Sequence, residues 1–259
     1  MSNLKKGIIT SVVIIVATCS VILFVLCSSQ YREKPFDGMK GKVQKVTTWN
    51  IKPDVWQAGR KGNGVMLINV SIFDINGNEI CSAALDSTER VMNEIENLFE
   101  NGECVRSTNK AGNRTLAQTN LISKKRGTLE YSKEVNGRRT RLTVKQSSFG
   151  RKHKSVVKED GKLTTISIIR TDRDGYPKEI TTIDALTGKK TIETNIFDDS
   201  HNVTEKHLYM IYSDGEEGED ITFYRYGEFD EHGNWKDVRV FNKIGLPQQV
   251  VVREIEYWE

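Results

Sequence analysis

FDEHGNW, at residues 229–235, places acidic residues and a Gly-Asn pair between segments rich in Val, Phe and Tyr. Acidic residues, Asn and Gly favour tight turns, and β-branched or aromatic residues favour strands, so this composition is typical of a β-hairpin. Three further stretches repeat the pattern: FDINGNE at 73–79, TDRDGYPKE at 171–179 and FDDSHNV at 197–203. The chain is therefore predicted to be mainly β.

Turn signals continue through the C-terminal half. From Gly137 to Gly245, glycines or a His-Asn pair recur at intervals of about 11 to 18 residues, which leaves room for one strand and one turn each time. Tight turns join antiparallel neighbours, whereas parallel strands need long crossover connections. We therefore expect a long antiparallel meander over residues 42–259, with a sheet that twists and curls on itself.

One segment has helical periodicity. Asp86 and Glu89 have the spacing of a capping box, and Gly102 lies where a helix would end. The pattern predicts one inserted amphipathic helix over residues 86–101, packed on a face or an edge of the sheet. Its apolar side is formed by Val91, Met92, Ile95, Leu98 and Phe99.

The N-terminal region has the composition of a membrane anchor. Residues 7–26 form an uncharged run of 20 apolar or small residues, the length that an α-helix needs to cross a bilayer. Two lysines precede this run, which favours a cytoplasmic N-terminus at residues 1–6 and export of the remaining chain. We expect a single-pass transmembrane helix at 7–26, a linker at 27–41 and an extracytoplasmic domain at 42–259, located at the cell membrane.

Two other interpretations of the N-terminus stay open. A bacterial lipoprotein signal would lipidate Cys27, although Leu26 stands where such signals have a small residue. A cleaved secretory signal has a shorter apolar region and an Ala-x-Ala site, which this stretch lacks. All three interpretations export residues 31–259, where Cys81 and Cys104 would either form a disulfide or remain free thiols.

Two C-terminal segments resemble the YD-repeat unit of RHS-type bacterial proteins, which reads roughly Tyr-Asp-x-x-Gly-Asn followed by a strand. They are FDEHGNWKDVRVFN at 229–242 and GLPQQVVVREIEYW at 245–258. GMKGKVQKVTTW, at 38–49, is similar to the first strand of small envelope lipoproteins that carry such repeats. The resemblance implies curling β-sheet in a small membrane-anchored or lipoprotein-like envelope protein. It implies no substrate.

Charge is unevenly distributed along the chain. Residues 106–162 contain 16 basic and 4 acidic residues, whereas residues 163–259 contain 11 basic and 20 acidic residues. The two blocks either pair across adjacent strands or leave a basic surface for an anionic envelope polymer, lipid headgroups or an acidic protein. Nucleic acid is a poor candidate, because an exported domain seldom meets it. The candidate anion-binding residues are Arg138, Arg139, Arg141, Lys145, Arg151, Lys152 and Lys154.

No sequence motif predicts catalysis or a cofactor. The chain has no nucleophile elbow, phosphate loop, dinucleotide fingerprint or His-Glu-x-x-His zinc motif. Of its four histidines, His201 and His232 fall in hairpin turns and are expected to be structural. The densest acidic cluster is a weak candidate cation site, because its spacing fits no EF-hand. Its members are Asp214, Glu216, Glu217, Glu219 and Asp220.

These observations predict a membrane-tethered, extracytoplasmic binding or scaffolding protein of the cell envelope, without catalytic activity. Two alternatives stay open. One is an immunity or accessory protein for an RHS-type toxin, which rests on analogy. The other is an envelope enzyme with an unrecognised site, which a deep pocket holding His207 beside carboxylates would favour.

Overall fold

Sixteen antiparallel strands form a closed barrel in the computed structural model, which describes residues 39–54 and 64–259. The strands are β1 Val43–Ile51, β2 Val65–Phe73, β3 Glu79–Leu85, β4 Val91–Glu100, β5 Glu103–Ala111, β6 Arg114–Lys125, β7 Thr128–Val135, β8 Arg138–Phe149, β9 Lys152–Glu159, β10 Lys162–Thr171, β11 Pro177–Asp184, β12 Lys190–Phe197, β13 Val203–Ile211, β14 Glu217–Tyr226, β15 Asp237–Asn242 and β16 Pro247–Tyr257. Each strand pairs with its neighbours in sequence, and β1 pairs with β16 to complete the ring. Every one of these strands therefore has a hydrogen-bonding partner on both sides.

Two-residue turns join the consecutive strands from β4 to β10. A two-residue hairpin of type I′ needs positive φ at both turn residues, a conformation that Gly and Asn adopt readily. Asn136 and Gly137 show this geometry, with φ values of 50° and 78°. Strands β4 to β10 therefore form a series of tight hairpins without longer loops.

A second kind of connection, which we call the Asx turn, spans five residues. In the turn at 74–78, one oxygen of the Asp74 carboxylate accepts the backbone N–H groups of Asn76 and Asn78, each at 2.9 Å. The fourth residue, Gly77, has a φ of 78°. The same side-chain-to-backbone pattern recurs at 86–90, 172–176, 198–202, 230–234 and 242–246.

The helix predicted at 86–101 is wrong, because these residues form an Asx turn followed by strand β4. The Asp86 carboxylate accepts the N–H groups of Thr88 and Arg90, and Glu89 adopts a φ of 63°. A helix needs negative φ at that position. The Asp86–Glu89 spacing therefore marks a turn, although it matches a helical capping box.

Burial identifies the inner face of the barrel wall. Across β7, β8 and β9, the pairs Leu129–Val144, Tyr131–Leu142 and Val144–Val157 are in register and share one face. Tyr131 is 0% exposed and Val144 is 1% exposed. Side chains converge on the concave side of a closed sheet, so this face is the inside. Its apolar cluster consists of Cys104, Leu129, Tyr131, Leu142, Val144 and Val157, with Phe99 and Leu121 packed against it.

The outer face of the same strands is charged. Side chains alternate along each strand, so the residues between the buried ones point outward. The same alternation on β4 and β5 gives outward charges there too, and the outward charged residues include Glu96, Arg106, Glu130, Arg141 and Lys154.

The junction of β1 and β16 is secured by a polar cluster around Asn234, which is 4% exposed. The Asn234 side chain donates to the Lys40 carbonyl at 2.9 Å and accepts the Lys40 N–H at 2.7 Å. It also donates to the Tyr257 hydroxyl at 2.7 Å, and that hydroxyl donates to the Asp230 carboxylate. Burial and the Asp230 carboxylate raise the pKa of Tyr257 to about 12. The turn at 230–234 thereby connects both ends of the described chain.

The predicted open, curled meander is also wrong, because the first strand and the last strand pair and close the sheet. The resemblance to RHS-type YD repeats is not supported. The residues that suggested it, 229–242 and 245–258, are two connections and two strands of this single closed ring rather than units of a repeat.

The predicted fold class with a transmembrane helix, and the predicted single-pass location at the cell membrane, are wrong for the described chain, which is a closed barrel of strands. No helix in residues 39–54 and 64–259 has the length and apolar character needed to cross a membrane. The segments predicted as the N-terminus at 1–6 and the anchor at 7–26, together with Cys27, lie outside the described residues.

Substitution of Glu89 distinguishes the turn from a helix. We expect Glu89→Gly to raise the free energy of unfolding by about 0.5–1 kcal/mol, because glycine adopts positive φ without strain. In a helix the same substitution would lower it by about 1 kcal/mol. Urea denaturation followed by circular dichroism measures the sign. Ser87→Gly, in the same turn but not at a positive-φ position, is the control and should not stabilise the protein.

The Asn234 cluster predicts a second stability change. Tyr257→Phe removes the hydrogen bond to the Asp230 carboxylate, and we expect a loss of about 1–2 kcal/mol in urea denaturation at pH 7. Although burial opposes it, hydrogen bonds from Tyr257 and from the backbone of Asn234 and His232 lower the pKa of Asp230. A lowered carboxyl pKa stabilises the fold above the unfolded value of about 3.9, so the difference should shrink as the pH falls below it.

The matched control for this measurement is Tyr212→Phe. Tyr212 is 39% exposed, and its hydroxyl lies 3.6 Å from the Met210 sulfur. This substitution should change stability by less than about 0.5 kcal/mol. Equal losses in the two variants would show that the Asn234 cluster does not secure the junction.

Candidate anion-binding surface

The hairpin of β8 and β9 places most of the predicted basic residues on the outer face. Its inner face is fixed by the buried residues Leu142, Val144 and Val157. Alternation from these positions turns the neighbouring basic side chains outward. The outward basic residues are Arg139, Arg141 and Lys145 on β8, and Lys152, Lys154 and Lys158 on β9.

Two of the predicted residues are neutralised by adjacent carboxylates. Arg141 lies 2.6 Å from Glu130, and Arg139 lies 3.2 Å from Glu134. Hydrogen bonds from Arg141 and Ser123 lower the pKa of Glu130. Both acidic partners belong to β7, so the cross-strand pairing expected between a basic and an acidic block occurs inside the basic block.

Four lysines on the same face have no such partner. Lys145, Lys152, Lys154 and Lys158 are exposed, and they make no ion pair with any residue in the described ranges. Their in-register neighbours on β8 and β9 are uncharged: Val156, Phe149, Ser147 and Thr143. The hairpin therefore presents uncompensated positive charge to solvent.

The β8–β9 turn adds an apolar side chain to this charge. Phe149 is 89% exposed and lies opposite Lys152. Gly150 and the exposed Arg151 complete the turn. We name Lys145, Phe149, Arg151, Lys152, Lys154 and Lys158 the basic surface.

The remaining predicted anion-binding residue does not join the basic surface. Arg138 pairs with Val135 at the other end of β8, and alternation along β8 places it on the inner face. Phe149 and Lys158, by contrast, were not among the predicted residues. Both could have been identified from the sequence, because strand alternation counted from the β8–β9 turn places them on the same face as the predicted lysines.

The acidic segment at 214–220 does not assemble into a cation site. Asp214 lies in the β13–β14 turn, where its carboxylate accepts the Glu216 N–H at 3.0 Å. Glu217 and Glu219 share one face of β14, and Asp220 is on the other face. The structure therefore separates the five carboxylates that are adjacent in sequence.

The two cysteines of the barrel are free thiols on opposite faces of the wall. Cys104 is 1% exposed and belongs to the inner apolar cluster. Cys81 is on the outer register, paired with Glu96, and its sulfur lies 3.7 Å from a Glu94 oxygen. The structure thus contains the free-thiol alternative rather than a disulfide.

The histidine named for a catalytic site does not lie in a deep pocket. His207 is on the outer register of β13 beside Glu205, and its side chain is 34% exposed. An open cleft of about 870 Å³ lies elsewhere, beside the 227–236 connection and β16, and no histidine lines it. His207 therefore does not line this cleft, and the deep pocket that would favour the enzyme alternative is not found around it.

One group of potential ligands was missed by sequence reasoning. Asp172, Asp174 and His201 come together from two turns that are separated by β11 and β12. The available signal was His201 itself, because it stands where the two other stretches that begin Phe-Asp, 73–79 and 229–235, have glycine; we call these three the FD-type turns.

No family model and no curated protein matches this chain. Among solved structures, a porin-like protein from Bacteroides uniformis is 10% identical, with a TM-score of 0.49 over 84% of this chain and 99% of that chain. A porin-like protein from Bacteroides vulgatus is 11% identical, with a TM-score of 0.43 over 83% and 98% of the two chains. At these values the likeness supports no conclusion about function.

The environment of Cys81 predicts low thiol reactivity. Burial, Glu94 and Glu96 raise its pKa to about 11, so the thiol stays protonated at pH 8. We expect alkylation of Cys81, followed by peptide mass spectrometry, to accelerate with pH up to about 11 and to be faster in Glu94→Gln. The urea-unfolded chain, with a thiol pKa of about 8.5, is the reference. A native rate that levels off near pH 8.5 would contradict the placement.

Proposed function

We propose that this protein is a non-catalytic β-barrel of the cell envelope that binds anionic membrane surfaces through the basic surface. The observation that carries the proposal is the exposed Phe149 among lysines that make no ion pair within the described chain. Binding is peripheral: the outer wall of the barrel lies against the lipid headgroups.

The electrostatic part of the interaction comes from the unpaired cations. A Lys or Arg close to an anionic bilayer contributes about 1 kcal/mol, and the contribution decays within about one Debye length. Lys145, Lys152 and Lys154 share one face of a single hairpin, so one orientation brings all three toward the same plane. Arg139 and Arg141 contribute less, because adjacent glutamates offset their charge.

Phe149 distinguishes a lipid surface from a soluble anionic polymer. A polymer satisfies the lysines but gives the aromatic ring no apolar environment. Burial of a Phe side chain in the headgroup–acyl boundary contributes about 1.5–3 kcal/mol. The combination of exposed cations with an exposed aromatic tip therefore favours a bilayer over a polymer or an acidic protein.

Charge on the outer wall favours surface binding over membrane insertion. A spanning barrel has an outward apolar band about 25 Å tall, and a Lys or Arg at the bilayer midplane costs about 2–4 kcal/mol. Outward positions on β5, β8 and β9 carry Arg106, Arg141 and Lys154 at different heights along the wall. This side of the barrel does not provide such a band.

A bilayer-spanning barrel is the second candidate function, because the strands are even in number, antiparallel and closed. Conductance measurements on planar bilayers separate the two candidates. A peripheral protein gives no stepwise conductance and is released from liposomes by high salt. A spanning barrel resists salt extraction.

Liposome binding tests the proposal with the full-length chain. We expect binding to vesicles rich in phosphatidylglycerol that weakens with added salt, and weaker binding to phosphatidylcholine vesicles. Lys152→Glu with Lys154→Glu should weaken binding at least about tenfold, from a loss of about 1 kcal/mol per charge. Phe149→Ser should weaken vesicle binding about tenfold and leave polyphosphate binding unchanged.

The matched control reverses two exposed lysines at the opposite end of the barrel, Lys52→Glu with Lys243→Glu. It changes net charge equally but should retain binding. Every variant keeps residues 1–38, so differences between variants report on the barrel. Equal losses of vesicle binding in both double variants would show that binding depends only on net charge, and this result would overturn the proposal. If the Phe149→Ser variant bound vesicles as tightly as the unmodified chain, the bilayer would not be the partner.

A further inference from the structure

Two neighbouring Asx turns bring a histidine and two aspartates together at one end of the barrel. The turn at 172–176 joins β10 to β11, and the turn at 198–202 joins β12 to β13. One ligand atom from each of Asp172, Asp174 and His201 lies within 4.8 Å of the others. His201 Nε2 is 3.2 Å from an Asp174 carboxylate oxygen. Within the described chain, this is the one such group of three.

His201 occupies an unusual place in its turn. It is the fourth residue of the Asx turn and has a φ of 65°. The corresponding residue of the other FD-type turns is glycine, at Gly77 and Gly233. An imidazole therefore replaces the residue that this backbone conformation favours, and it projects toward the adjacent turn.

Packing fixes the direction of the imidazole. Its ring stacks on Tyr176, with centroids 4.1 Å apart and planes inclined by 18°. Tyr176 is 8% exposed and contacts Phe197 at a centroid distance of 5.9 Å. A ring seated on a buried aromatic residue has little rotational freedom, so Nε2 is held toward the carboxylates.

The Asp172 carboxylate is held by its own turn. One oxygen accepts the N–H groups of Asp174 and Tyr176, both at 2.9 Å. The second oxygen takes no part in these bonds and is available to a ligand. A fixed carboxylate reduces the entropy lost when a cation binds.

We propose that Asp172, Asp174 and His201 bind a divalent transition-metal ion of the Zn²⁺ class. Imidazole nitrogen with carboxylate oxygen suits Zn²⁺ and its neighbours in the first transition row, whereas Ca²⁺ and Mg²⁺ take oxygen ligands. Tetrahedral ligands at about 2.0–2.1 Å from zinc lie about 3.3 Å apart, close to the 3.2 Å between His201 and Asp174. Solvent completes the coordination at this exposed edge.

The turn at 230–234 provides a comparison, because it contains a histidine in a similar setting that lacks the three-ligand group. His232, its third residue, also stacks on a tyrosine, Tyr257, with centroids 3.9 Å apart. The nearby carboxylate of Asp230 is already engaged by the Tyr257 hydroxyl. A second carboxylate does not join it in a three-ligand group. His232 is therefore a matched histidine without a site.

Thermal unfolding of the full-length chain, with and without Zn²⁺ after chelator treatment, tests the proposal. The ion should raise Tm of the unmodified chain, because it binds the folded state and joins two turns. In His201→Gly the metal-free Tm should be equal or higher, since glycine suits positive φ, and the zinc-dependent rise should disappear. Asp174→Asn should reduce the rise, and His232→Ala should retain it.

Co²⁺ supplies a second readout, because a bound ion with imidazole and carboxylate ligands has a visible absorption spectrum that His201→Gly should abolish. An equal zinc-dependent rise in His201→Gly and the unmodified chain would overturn the site, as would the absence of both a Tm rise and a Co²⁺ spectrum. These readouts involve no lipid, so they are independent of membrane binding.

Discussion

The pairing of β1 with β16 sets the architecture, because it joins residues near both ends of the described chain in one hydrogen-bonded ladder. An open sheet of this length would leave two edges with unpaired backbone groups, which invite association with other chains. The ring removes both edges. The polar cluster of Lys40, Asp230, Asn234 and Tyr257 lies at this junction. A turn that also occurs elsewhere in the barrel is thus used here to secure closure.

Strand direction then determines which turns share an end of the barrel. Every connection from an even-numbered to an odd-numbered strand lies at one end, because consecutive strands are antiparallel. The Asx turns at 74–78, 172–176, 198–202 and 230–234 and the Phe149 tip all belong to this set. Because the strands run alternately up and down, the turns that carry the candidate sites all lie on one rim of the barrel.

Turn positions could be predicted from sequence, because an acidic residue followed three positions later by glycine has a local physical cause. The turn at 86–90 was missed because Glu89 replaces the glycine, and the same acidic pair then matches a capping box. The following strand has outward Glu94, Glu96 and Glu100, but its apolar residues also fit a helical period. Closure was missed because it depends on register between Val46 and Ile255, and no local pattern encodes a pairing over that separation.

The candidate sites differ in how far the sequence specifies them. The basic surface follows from composition and strand alternation, but Arg139 and Arg141 drop out only when their cross-strand glutamates are known. The Asp172–Asp174–His201 group depends on two turns becoming neighbours after two strands have intervened. Its one local sign is a histidine at a position that favours glycine.

Placement also links the two candidate sites electrostatically. The Thr171 N–H donates to the Arg151 carbonyl at 3.0 Å, so the Asp172 turn begins directly beside the Phe149 tip. Two carboxylates next to a cationic surface lower its positive potential, and a divalent cation held by them offsets that effect. Under the two proposals, the sign of the linkage follows from charge alone: a metal ion bound at the rim would favour contact with an anionic bilayer, and by reciprocity the bilayer would favour retention of the ion.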